Sequence, residues 1–377
     1  MLLKEEMARH EARQNEDVSG SSPSPYSSEI LPIQYLRAVA ASMVVWHHAA
    51  GQVPGMSSLV PWAFGTSGVD LFFVISGFIM VVTTAGRAVR PVDFWRRRIV
   101  RVVPLYWLLT LAMVSVALVA PSLFKTLKVA PATLLQSLLF IPHYSQSFPE
   151  RVWPLLVPGW TLNFEMFFYA VFGASLFLRR EHSLMAMTVA ILILVVTGMF
   201  LRPLSSAAAQ TYTNPMLLEF LAGAWICVWW ARRGSWLPVE VSVVMLFAGG
   251  AFLVLRDEPP FGGFNQIVGA SLVVAGALNK RFYAWRSAVL LAVGDSSYSL
   301  YLTHIFTLGL LRLVWVRLYP SAPSVLSAEV FMVTSLLACA GVGWLTYRCI
   351  ERPLLRRLNR VGGSPSAKGL RIVPEQS

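Results

Sequence analysis

What most constrains this chain is how rarely its apolar stretches are interrupted. A helix needs about 20 residues to cross roughly 30 Å of hydrocarbon. Ten segments reach or approach that length: 31–51, 67–86, 102–120, 155–178, 184–201, 214–231, 236–255, 264–279, 289–316 and 327–350. Residues 132–141 form an apolar run too short to span, and read as a re-entrant or interfacial piece. Hydrophobic residues make up 56% of the 377 and charged residues 13%, about half the ~25% charged share of an ordinary globular protein. A soluble fold of this size has to cover itself with polar surface, and this sequence lacks the means. The reading is an all-α, polytopic membrane protein with about ten transmembrane helices.

The surplus of 31 Lys and Arg over 19 Asp and Glu could point to nucleic acid. Here the basic residues gather in short clusters between apolar runs, which is a topology signal. The loops after the second, fourth, sixth and eighth segments hold thirteen of them, from Arg87 to Arg286, and the alternate loops hold six. By the positive-inside rule both termini lie in the cytoplasm, and the number of spans is even. The shortest segment, 264–279, is needed for that count. Residues 1–29 are polar and carry no apolar run of signal-peptide length, so they read as a disordered tail. The membrane domain then covers 30–354, and 355–377 form a basic tail. Cys227, Cys339 and Cys349 have no paired spacing and are expected to pack as small apolar groups.

Ionisable residues inside spanning segments are costly and mark functional sites. Arg37 and His48 are eleven residues apart in the first segment. That is close to three helical turns, so they share one face about 16 Å apart. Asp70, at the start of the second segment, should stand at the depth of His48, where it either orients the imidazole as a general base or caps the start of its own helix. Arg98 and Arg101 are neighbours on one helix surface, and an arginine pair suits phosphate. Glu165 lies in the fourth segment near Trp160 and Tyr169, and His304 lies in the middle of the ninth. Glu351 and Arg352 read as an interfacial ion pair. The sequence has no HExxH, CxxC, Walker-type, GxGxxG or GxSxG motif, so metal hydrolysis, ATP-driven transport and dinucleotide chemistry find no support.

Six features in this order resemble the membrane-bound acyltransferase-3 family, from about residue 33 to 353. They are Arg37 with His48, GVDLFFVISGF (68–78), Arg98 and Arg101 ahead of PLYW, GWTLNFEMFFY (159–169), SYSLYLTH (297–304) and the terminal ERP (351–353). Within the family the chain looks most like bacterial exopolysaccharide O-acetyltransferases. It departs at Thr161 and Asn163, where many members read W-S-L-x-x-E. The resemblance implies transfer of an acetyl or other short acyl group from cytoplasmic acyl-CoA to a sugar hydroxyl of a polysaccharide or its lipid-linked precursor, in contact with membrane lipid. Arg37, Arg98 and Arg101 would hold acetyl-CoA, and His48, Asp70 and Glu165 would be catalytic. Trp160, Tyr169 and His304 would bind the acceptor. No metal and no nucleic acid enter this scheme, although polysaccharide-synthesis machinery is an expected partner. Two alternatives stay open: a secondary transporter or proton-coupled exporter using the same ionisable residues, and a scaffold whose arginines dock a partner.

Overall fold

The computed structural model describes residues 30–60, 63–85, 89–121, 127–233, 237–255, 264–319 and 323–361. Most of both expected tails, 1–29 and 362–377, lies outside them. The described residues are all-helical, without strands. In chain order the helices are α1 (Leu31–Ala50), α2 (Ser67–Thr84), α3 (Pro91–Val119), α4 (Pro131–Leu138), α5 (Gly159–Ser175), α6 (Arg180–Phe200) and α7 (Ala207–Tyr212). They continue with α8 (Leu217–Arg233), α9 (Val239–Val254), α10 (Phe264–Ala277), α11 (Ala288–Asp295), α12 (Ser297–Leu318), α13 (Val325–Thr346) and α14 (Arg352–Val361).

Helices occupy all ten apolar segments, with three differences from expectation. The third helix starts at Pro91, a favoured first-turn residue, so Arg96, Arg97, Arg98 and Arg101 are all helical. The ninth segment is two helices, α11 and α12, broken at Ser296. The last segment runs through a wider π-turn at Tyr347–Glu351 into α14, so residues 355–361 are helical. Cys227 and Cys339 are buried, whereas Cys349, on that π-turn, is exposed.

Among the described residues, five helices are long and apolar enough to cross a membrane, those containing α2, α3, α6, α12 and α13. Helices α9 and α10 are shorter apolar helices. The 20 residues of α1 include Arg37, His47 and His48, and α5 and α8 have 17 residues each. Among the helices that fall short, α1 carries Arg37 and His48, α5 carries Glu165 and α8 carries Glu219. Along its most apolar stretch α2 is 72% buried, against 28–44% for the other four. It is therefore the interior helix, while α6, α12 and α13 leave Ile193, Leu310 and Leu337 exposed. Exposed apolar faces of that kind suit contact with lipid.

Small residues set how closely α2 is packed. A methyl group on Gly77 would overlap the Phe220 carbonyl of α8, and one on Gly223 would overlap the carbonyl of Val74. Gly68 lies in the same way against the backbone of Ala40 in α1. Close approach through small residues is the usual basis of helix association in lipid, where the hydrophobic drive is weak. Gly223→Ala should therefore destabilise the protein by about 1–3 kcal/mol, seen as a lower thermal midpoint in detergent. Gly250→Ala, where nothing lies within 4 Å, should leave the midpoint unchanged. Equal midpoints for both variants would contradict this packing.

Candidate active site

Among the cavities between the described helices, two hold the expected site residues. The smaller, about 190 Å³, is lined by Arg37, Arg98, Arg101, Glu165, Tyr169 and Tyr298, among others. Arg37 donates to Gln34 Oε1 one turn earlier and to Ser297 Oγ of α12, each at 2.9 Å. Arg98 donates to Thr83 Oγ1 at the end of α2, 2.8 Å away. Its guanidinium also lies over the rings of Phe94 and Tyr169, at 5.5 and 5.8 Å. The Nε of Arg98 is buried with no partner in the protein. Arg101 pairs with Glu351, whose side chain is 1% exposed, and Ser299 donates to the same carboxylate. This corrects the expected Glu351–Arg352 interfacial pair, because the π-turn carries Glu351 inward. Glu165 accepts from Tyr169 and, at 3.3 Å, from Ser76. Three guanidiniums around one free-standing carboxylate leave the chamber cationic, which fits an anionic ligand.

The larger chamber, about 840 Å³, is lined by His48, Asp70, Trp160, Glu219, Gln266 and His304, among others. His48 Nδ1 lies 2.8 Å from the Val44 carbonyl, one turn back on α1. A carbonyl only accepts, so Nδ1 carries the hydrogen and Nε2 of the neutral ring is left as a base. The backbone fixes this tautomer, a role that the sequence reading gave to Asp70. Asp70 is instead hydrogen-bonded to Glu219 of α8. His304 is fully buried, with Nδ1 2.6 Å from the Tyr301 carbonyl and Nε2 without a protein partner. Its ring meets that of His48 edge-on, centroids 4.9 Å apart.

Val69 and Tyr301 line both chambers and form their common wall. The Tyr301 hydroxyl is held by Thr161 Oγ1 at 2.8 Å and the Pro158 carbonyl at 3.0 Å. Thr161, one of the departures from the family pattern, thus keeps the hydroxyl that anchors this tyrosine. The structure groups the expected residues into two sets. Arg37, Arg98, Arg101, Glu165 and Tyr169 line the small chamber, whereas His48, Asp70, Trp160 and His304 line the large one. Glu165 and Tyr169 are therefore not beside the imidazole. Sequence reasoning missed Tyr301, Glu219 and Gln266. Glu219 was legible as the lone acid in an apolar segment, but a glutamine at the start of 264–279 gave no such signal. Among the described residues, no three His, Cys, Asp or Glu side chains cluster as metal ligands would.

A helical membrane protein with a cationic chamber backed against an imidazole-lined one is built to bring an anionic ligand next to a base. The chain belongs to the acyltransferase-3 family, whose Acyltransferase domain matches residues 31–346. It is 40% identical over 299 residues to "Exopolysaccharide production protein ExoZ" of Rhizobium meliloti, covering 78% of this chain and 91% of that one. It is 26% identical to "Acyltransferase MdmB" of Streptomyces mycarofaciens, covering 82% and 86%. It is 24% identical to "O-acetyltransferase OatA" of Staphylococcus aureus, covering 88% of this chain and 58% of the relative. No solved structure matches it.

Removing Glu351 would leave Arg101 without its carboxylate in the protein interior. Loss of one partner from such a pair costs about 3 kcal/mol. Glu351→Ala should lower the thermal midpoint by that equivalent, and Arg101→Met in the same chain should restore part of the loss. A double variant that is additively worse would show that the pair is not coupled.

Proposed function

We propose that the protein transfers an acetyl, or another short acyl, group from cytoplasmic acyl-CoA to a sugar hydroxyl of an exopolysaccharide or its lipid-linked precursor. It would act as a multi-pass protein of the bacterial inner membrane, with ten spans and both termini inside, alongside polysaccharide-synthesis machinery. The observation that carries this reading is the shared wall between an arginine-lined and a histidine-lined chamber. The names of the relatives, which concern exopolysaccharide production and O-acetylation, support the choice of acceptor.

In this reading Arg98 and Arg101 meet the phosphates of CoA at the mouth of the small chamber, and Arg98 Nε supplies an uncommitted donor. The narrow pantetheine arm passes Arg37, Glu165 and Tyr169 and brings the thioester to Tyr301. Glu165 and Tyr169 belong on this donor side, where Glu165 also offsets the charge of the arginines. The acceptor enters the large chamber. Its hydroxyl oxygen attacks the thioester carbonyl carbon while His48 Nε2 takes the hydroxyl proton. The carbon–sulfur bond breaks, and the departing CoA thiolate takes that proton from His48. The products are the O-acyl sugar and free CoA, with His48 neutral again.

Positioned general bases contribute about 10²–10⁴-fold. His48→Ala in purified protein given acetyl-CoA and glycan should therefore cut CoA release by that order, with CoA binding kept. Arg98→Lys preserves the charge but not the planar fork, so it should raise the donor KM about tenfold or more. Wild-type transfer by His48→Ala would overturn the role of the base. An unchanged donor KM in Arg98→Lys would overturn the phosphate assignment.

A further inference from the structure

The large chamber has a feature that catalysis by His48 does not use. Three of its lining side chains are at least nine-tenths buried and keep a polar atom with no partner among the described residues: Glu219 Oε2, Gln266 Oε1 and His304 Nε2. Glu219 is 1% exposed, Gln266 8% and His304 0%. These atoms come from three different helices, α8, α10 and α12. All three are hydrogen-bond acceptors, since His304 Nδ1 is committed to a carbonyl. Buried acceptors left without donors are costly, and a few polar atoms converging on one cavity from separate helices are the usual mark of a ligand site.

An acceptor-only set selects a ligand rich in donors. Hydroxyl groups of a sugar meet that need, and Trp153 and Trp160 on the same chamber offer flat apolar faces to a pyranose ring. The charged groups on its wall are Glu150 and the hydrogen-bonded pair Asp70–Glu219, which shares one proton, against Arg151. A carboxylate on the incoming sugar would meet like charge there, so an acidic sugar is disfavoured. We infer that Glu219, Gln266 and His304 form the recognition face for the acceptor and select a neutral hexopyranose, read through its hydroxyl hydrogens, over a uronic acid. The inference rests on the acyl-transfer reading above and names the acceptor that this reading leaves open.

The test uses the full chain in lipid nanodiscs with acetyl-CoA and two matched oligosaccharides, one of neutral hexoses and one of hexuronic acids. Wild type should acetylate the neutral oligosaccharide with at least about a tenfold higher kcat/KM, the scale of one unmet buried hydrogen bond. Gln266→Leu keeps the shape but loses the acceptor atom. It should raise the KM for the neutral oligosaccharide about tenfold, while the Kd for a non-hydrolysable acyl-CoA analogue stays at its wild-type value. Gln266→Glu, which keeps an acceptor oxygen, should recover most of that loss. Equal use of both oligosaccharides by wild type, or an unchanged KM in Gln266→Leu, overturns the recognition face while acyl transfer stands. Should Gln266→Leu fail to fold, the wild-type preference alone decides. Transfer to neither oligosaccharide, with no CoA released, overturns the functional reading itself.

Discussion

The arrangement depends on helix α12 crossing α1 so that it touches both ends of one helical stripe. Ser297 receives a hydrogen bond from Arg37 at one end, and His304 packs its ring on His48 at the other. A guanidinium and an imidazole on a helix among apolar neighbours are expensive unless each has a partner. Those two contacts supply neutral partners. They also hold the cation and the base at fixed depths, about 16 Å apart along the helix axis, one in each chamber.

The remaining polar groups follow from that division. Arg101 would add a third cation to the small chamber, and the π-turn at Tyr347–Glu351 offsets it by carrying Glu351 to it. π-turns of this kind recur where a helix has to re-aim a side chain. In the large chamber, Asp70 is satisfied by Glu219 rather than by the imidazole. A hydrogen bond between two carboxyl groups holds one proton between them, so neither carboxylate faces the cavity as a bare pair of charges. The wall between the chambers is a tyrosine anchored by Thr161 and the Pro158 carbonyl. In the proposed reaction, that wall would set the thioester end of a bound donor against His48.

Much of this was legible in the sequence. The ten apolar segments anticipate helices because runs of that length cannot be left exposed to water. The eleven-residue spacing anticipates the Arg37–His48 stripe because helical periodicity alone sets it. Other features were not legible, for physical reasons. The partner of Glu351 lies 250 residues away, and only a local π-turn brings it inward. The tautomer of His48 is set by a main-chain carbonyl, which leaves no trace in residue identity. The separation of Glu165 from His48 depends on how α5 is packed against α2 and α3, which spacing within one segment does not encode. Gln266 became visible only as a buried oxygen without a donor.

As proposed, the donor reaches the shared wall from the cytoplasmic side of the membrane and the acceptor from the outer side. Proteoliposomes holding labelled acetyl-CoA only in the lumen, with a soluble glycan only outside, test it most directly. The account predicts labelled, O-acetylated glycan outside and free CoA retained inside. Transfer that occurs only when donor and glycan share a compartment would contradict it.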